Sequence, residues 1–233
     1  MLDIHSHILP KIDDGSKSVE MSMEMLHRSA QQGVTTMVST SHFYADSDSP
    51  DSFCARREHA RRKMEASFTG SEPEILYGAE VLYYPGISHS DEVARLAIGG
   101  TSLILIELPF IPWNEKIFEE LISFQYTNRL HIVLAHVERY MDIQKRDIYR
   151  KLFDQPFYFQ CNAEAFTARR SRKLALELLD SGLLHFLGTD CHNITTRPPN
   201  MEEAKKIIEK KLSPRAWDHL TEESENLFDL FRK

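Results

Sequence analysis

Asp3-Ile4-His5-Ser6-His7 opens the chain with a short apolar stretch that ends in His-x-His. On a continuing strand, residues two apart point the same way, so the two imidazoles can share one ion. A lone pair of this kind is weak, and two histidines in a polar loop would look the same. Its meaning comes from what recurs after it. Glu80 closes Ile75-Leu76-Tyr77-Gly78-Ala79, Glu107 closes Leu103-Ile104-Leu105-Ile106, and His136 closes Ile132-Val133-Leu134-Ala135. His42 follows Val38-Ser39-Thr40-Ser41, and Asp190 and His192 follow the run from Leu183 to Thr189. Imidazoles and carboxylates at successive strand ends are how a barrel builds a metal site on one rim.

The spacing predicts alternating strands and helices. Strands are expected at Leu2-His5, Val34-Ser39, Ile75-Glu80 (running on through Val81-Tyr84), Thr101-Leu108, His131-His136, Pro156-Cys161 and Leu183-Thr189. Helices are expected from the Ser18 cap to Gln32, over Asp51-Ser67, Asn114-Tyr126 and Arg170-Ser181, and in Met201-Leu212 and Pro214-Lys233. About seven strands with helical crossovers favour an α/β parallel barrel or wound sheet. No linker divides residues 1–233, so one domain is expected.

Composition narrows the function. A net charge of −7 lacks the basic footprint of a nucleic-acid binder and does not suit an anionic membrane. No apolar run approaches the ~20 residues of a membrane span, and Asp3 and His5 stand where a signal peptide would be apolar. Three cysteines form no paired framework, which points to a reducing cytoplasm.

Each candidate has a plainer alternative. Asp13 and Asp14 in Ile12-Asp13-Asp14-Gly15 read as turn residues when taken alone. Glu80 and Glu107 abut apolar runs, where a charge is costly unless paired or metal-bound. Glu138 and Arg139, taken alone, read as a surface ion pair. The basic helix containing Arg56, Arg57, Arg61, Arg62 and Lys63 reads as a solvated face. His131 and His185 begin strands, on the rim away from chemistry, and Asn162 ends one, where it could support a ligand. Cys191 and Arg197 bracket a Cys-x5-Arg match to the phosphate loop of cysteine phosphatases. The loop has no glycine, and Pro198-Pro199 removes the N–H donors a following helix would supply.

Taken in order, the motifs resemble the polymerase-and-histidinol-phosphatase (PHP) superfamily, and within it the bacterial tyrosine phosphatases of the CpsB/YwqE type. The resemblance runs through Asp3-Ile4-His5-Ser6-His7, Ile12-Asp13-Asp14-Gly15, Ser39-Thr40-Ser41-His42, Tyr77-Gly78-Ala79-Glu80, Ile106-Glu107, Ala135-His136-Val137-Glu138-Arg139-Tyr140, Asp190-Cys191-His192-Asn193 and Arg197-Pro198-Pro199. It implies a distorted (β/α)7 barrel with three divalent ions at the C-terminal rim of its strands, most often manganese, with iron, zinc or magnesium as alternatives. The implied ligands are His5, His7, Glu80 and Asp190 for one ion. Glu107 and His136 would hold the second, with Glu80 bridging to it, and Asp14, His42 and His192 the third. Adjacent aspartates leave Asp13 open as an alternative to Asp14. Arg139 and Arg197 match phosphate-contacting arginines, and Asp190 or His192 could assist proton transfer.

The implied activity is removal of phosphate from tyrosines in the tail of a bacterial tyrosine autokinase that controls capsule or exopolysaccharide export. Clustered divalent ions would supply a hydroxide near neutral pH for attack on phosphorus. Another PHP phosphoesterase, such as a histidinol-phosphate phosphatase, is the alternative. The chain departs from the pattern in lacking glycine between Asn162 and Arg170, and in carrying Cys191 where a smaller residue is usual.

Overall fold

Strands and helices alternate along the chain in the computed structural model, which describes residues 1–233. β1 (Leu2–Ser6) is buried at every position, as a strand covered on both faces must be. α1 (Val19–Gln31) starts where the Ser18 hydroxyl accepts the Met21 N–H at 3.2 Å, and Gly33 follows it at φ 88°. Next come β2 (Thr36–Ser39), β3 (His42–Phe43), the Ser49-capped α2 (Pro50–Glu65), β4 (Glu74–Tyr77) and β5 (Glu80–Leu82). Two 3-10 turns lead to β6 (Leu103–Glu107), α3 (Lys116–Asn128) and β7 (His131–Leu134). A 3-10 turn over Val137–Tyr140 precedes α4 (Arg146–Leu152) and β8 (Tyr158–Asn162). The chain ends with α5 (Glu164–Thr167), α6 (Arg172–Asp180), β9 (Phe186–Gly188), α7 (Met201–Lys211) and α8 (Pro214–Leu230).

All strand pairs are parallel, in two sheets ordered β1-β2-β4 and β3-β5-β6-β7-β8-β9. The sheets curl toward each other. A parallel bridge joins Ser6 to Cys191, the His7 N–H donates to the Cys191 carbonyl at 2.9 Å, and the Asp190 N–H donates to the His5 carbonyl at 2.7 Å. Leu2, Ile4, Val38, Leu103, Leu105, Val133, Ala135 and Phe186, drawn from both sheets, pack as one cluster inside the curl, with Phe228 of α8 among them. A larger apolar layer packs helices on the outside.

The expected strand over Ile75-Glu80 is two strands. It breaks at Gly78, where a Cβ would come within 3.1 Å of the Ile98 side chain. Glu80 therefore opens β5 instead of closing β4, with its N–H donating to the Thr40 carbonyl at 3.0 Å. The neighbouring β2 breaks in the same way, and His42 opens β3. β3, α4 and α5 are too short to leave a periodic signal.

Asp3 latches the two ends of the curl. Its buried carboxylate accepts the Thr189 N–H at 2.9 Å and the Thr189 hydroxyl at 2.6 Å. Burial pushes this carboxyl up to about 6, against the pull of the Thr189 bonds. Removing it leaves a buried N–H without a partner. Asp3→Ala should therefore cost about 3 kcal/mol, seen as a drop of roughly 6–12 °C in Tm, whereas Asp3→Asn, which keeps one acceptor, should lose less than half of that. Equal losses in the two variants would contradict the latch.

Candidate metal centre

The curl brings the strand ends together. His5 Nε2 and His7 Nε2 lie 3.2 Å apart. Glu80 Oε2 stands 3.2 Å from His5 Nε2, 3.3 Å from His7 Nε2 and 3.0 Å from His42 Nδ1. Its other oxygen is 2.9 Å from His136 Nε2, which is 3.3 Å from Glu107 Oε1. Asp190 Oδ1 is 3.5 Å from His5 Nε2 and 3.4 Å from His7 Nε2. Asp14 Oδ1 approaches His192 Nε2 at 3.3 Å and His42 Nε2 at 3.6 Å. All nine expected metal-type residues thus fall in one region. Asp14 is largely exposed and His42 partly so, and the other seven are buried.

Tautomers show what this region is built to hold. His5 Nδ1 faces the Gln160 side-chain carbonyl at 3.1 Å, which can only accept, so Nδ1 carries the proton. His7 Nδ1 faces Asp13 Oδ2 at 2.8 Å and is fixed the same way. In neutral rings, the two Nε2 lone pairs then point at each other across 3.2 Å, an arrangement that a cation relieves. Glu80 Oε2 and His192 Nε2 are buried with no aligned hydrogen-bond donor or acceptor. The donor set of imidazoles and carboxylates fits divalent transition metals.

The ligand-type atoms fall into three overlapping groups: His5, His7 and Asp190; His42, Glu80 and Glu107; and His7, Asp14, His42 and His192. This differs in detail from the expected partition, since His42 stands with Glu80 and Glu107, and His7 also faces the Asp14 group. The surroundings draw positive charge. Burial alone would lower the His136 pKa, but Glu107 and Glu80 bring it up to about 10. Burial would likewise raise Glu80, yet its histidine neighbours hold it well below the carboxylate range. Burial and the charge of His7 push His192 down to about 4, so it is a neutral donor at pH 7.

One supporting residue, Gln160, was not singled out from the sequence. Gln160 accepts both His5 Nδ1–H and the His136 N–H (2.8 Å), and its amide donates to Asn162 Oδ1 at 2.9 Å. Asn162 in turn donates to Asp190 Oδ2 at 2.8 Å, the supporting role expected of it. The one available signal for Gln160 was a polar residue inside Phe157-Tyr158-Phe159-Gln160-Cys161. Asp13 accepts from His7 and from the His42 and Gly15 N–H groups, which leaves Asp14 with the freer carboxylate. His136 and Asp190 take positive φ angles of 33° and 50°, a strained backbone that aims both side chains inward.

Arg197 reaches Asp190 Oδ2 at 2.5 Å and Arg139 reaches it at 3.4 Å. Both arginines line a cleft of about 380 Å³ over Glu80, Glu107 and His42, together with Tyr44 and Phe110. The surface ion pair read into Glu138 and Arg139 does not form: Glu138 is buried beside the Asn162 N–H at 3.4 Å, and Arg139 turns to the cleft. His131 packs on Phe231 and His185 accepts the Phe159 N–H, both away from the site. Cys191 is wholly buried. Desolvation and the nearby Asp3 push its thiol far up, the opposite of what a nucleophilic cysteine needs.

Comparison with known proteins identifies the family. Residues 1–228 match the family described as capsular polysaccharide synthesis, CpsB/CapC. The tyrosine-protein phosphatase CpsB of Streptococcus pneumoniae is 32% identical over 222 residues, covering 91% of this chain and 90% of that one. The tyrosine-protein phosphatase YwqE of Bacillus subtilis (strain 168) is 30% identical over 237 residues, covering 97% and 91%. A crystal structure from the work on YwqE and S. pneumoniae CpsB, described as unique metal-dependent tyrosine phosphatases, superposes with a TM-score of 0.81 at 26% identity, covering 100% of this chain and 97% of that one. The chain carrying this cluster of imidazoles and carboxylates belongs to the CpsB/CapC family.

Proposed function

We propose that the protein is a metal-dependent protein-tyrosine phosphatase of capsule or exopolysaccharide biosynthesis, acting on the phosphotyrosines of a bacterial tyrosine autokinase in the cytoplasm. One observation carries the reading: histidines and carboxylates from six separate strand ends converge with ring nitrogens and carboxylate oxygens 3.2–3.3 Å apart. The family relatives named as tyrosine phosphatases, and the description of YwqE and CpsB as metal-dependent, support the same assignment. The three free cysteines suit a reducing compartment.

The ligands would be His5, His7, Asp14, His42, Glu80, Glu107, His136, Asp190 and His192, holding three divalent ions, manganese foremost. Counting β2 with β3, and β4 with β5, as single interrupted strands gives the seven of a distorted (β/α)7 barrel, with residues 1–233 as one catalytic domain. Bound divalent ions supply Lewis-acid stabilisation and an activated water. The chain supplies the rest. Gln160 and Asp13 hold His5 and His7 in the tautomers that present Nε2. Arg139 and Arg197 sit at the mouth, where they can leave Asp190 for the phosphoryl oxygens and neutralise their charge. Tyrosyl oxygen leaves as a stabilised phenolate, so no side chain has to protonate it fully in the transition state. Cys191 has no part in the chemistry.

Chelation should abolish hydrolysis of phosphotyrosyl peptide, and manganese should restore it. Histidinol phosphate should turn over at least about 100-fold more slowly. Cys191→Ser should retain more than about half of wild-type kcat. Activity that survives chelation and dies with Cys191→Ser would instead establish cysteine chemistry.

Removing one charge-stabilising donor typically costs about 10²–10³ in kcat. Arg197→Ala should show a loss of that size on an aryl phosphate, with metal content unchanged by elemental analysis. A variant that instead loses its metal would show that Arg197 works by holding Asp190.

A further inference from the structure

A second cavity, of about 450 Å³, adjoins the metal cleft, and Phe110 and Arg139 line both. Its remaining wall includes Met141, Ile143, Ala165 and Ala168, on the turn after the first 3-10 segment beyond β7 and on the α5 segment. Phe110 is 45% exposed and stacks on His136 at 5.8 Å between ring centroids, with the Arg139 guanidinium over its ring at 5.5 Å, so one aromatic face connects the metal cleft to the cavity. At the rim, Arg170 is already paired with Asp142 at 2.7 Å. The carboxylates lining the space are Asp142, Glu164 and the buried Glu138, and its guanidinium groups are Arg139 and Arg170.

We propose that this cavity is a substrate subsite that takes an apolar side chain flanking the phosphotyrosine, and so sets peptide preference. The inference rests on the phosphatase reading above. A phosphoryl group placed between Arg139 and the cluster leaves its tyrosyl ring beside Phe110, and the chain on that side must pass over the cavity. Burying an aromatic or aliphatic side chain there removes apolar surface from water and tightens binding. An acidic side chain gains nothing, because Glu138, Asp142 and Glu164 repel it, Arg170 is matched by Asp142, and Arg139 is engaged by Asp190 and the phosphoryl group. Small aryl phosphates fill the metal cleft alone and do not sense the cavity.

The test compares kcat/KM, with manganese bound, for phosphotyrosyl peptides carrying Leu, Phe, Gly or Glu at each flanking position, with p-nitrophenyl phosphate as the reference. At one flanking position, Leu or Phe should exceed Gly about tenfold, through KM, and Glu should fall below Gly. Ala168→Trp, on the cavity wall, should cut that apolar preference, relative to p-nitrophenyl phosphate, to within about twofold of Gly. Ala168→Ser, which barely changes the volume, should retain it, which separates filling from misfolding. Equal rates for all flanking residues, or a preference that Ala168→Trp leaves intact, would overturn the subsite. Failure of the wild type to hydrolyse any of the peptides while cleaving another phosphoester would overturn the phosphatase reading itself.

Discussion

The structure depends on holding like-natured groups together out of water. Glu80 and Asp190 are buried among His5, His7 and His136, and the Nε2 nitrogens of His5 and His7 face each other across 3.2 Å. An assembly of this kind is costly unless something positive sits at its centre. The CpsB/CapC chain resolves the conflict with a donor set for cations, and the rest of the fold fixes the directions in which those donors point.

Three devices do the fixing. Asp3 closes β9 onto β1 through Thr189, which brings Asp190 to the His-x-His pair. Gln160 and Asp13 set the protonation of His5 and His7 from behind. Gly188 leaves room for His5, since a Cβ there would stand 2.5 Å from the His5 Cβ. Each lies one step from the cluster, and together they make the site a property of the closed curl rather than of any single loop.

Much of this was legible in the residues. Apolar runs ending in His, Glu or Asp located the rim, because a charge beside a buried strand needs a reason. The Ser18 cap, and Gly33 after it, bounded α1 closely. Other features depend on contacts that a linear reading does not contain. The breaks at Gly78 and between β2 and β3 come from packing against Ile98 and from cross-strand bonds, so Glu80 and His42 open strands instead of closing them. Glu138 looked like half of a surface pair, because nothing in the order of residues shows that its neighbour turns to Asp190. Asp13 and Asp14 were inseparable by sequence, and the His7 ring is what tells them apart in space.

The central claim is that these side chains converge to bind cations. Its most direct test is a crystal grown with manganese, with anomalous difference density measured at the manganese edge. The account predicts strong peaks within about 2–2.5 Å of His5 Nε2, Glu80, Asp190 and His192 Nε2. Peaks absent from that cluster in catalytically active protein would contradict it.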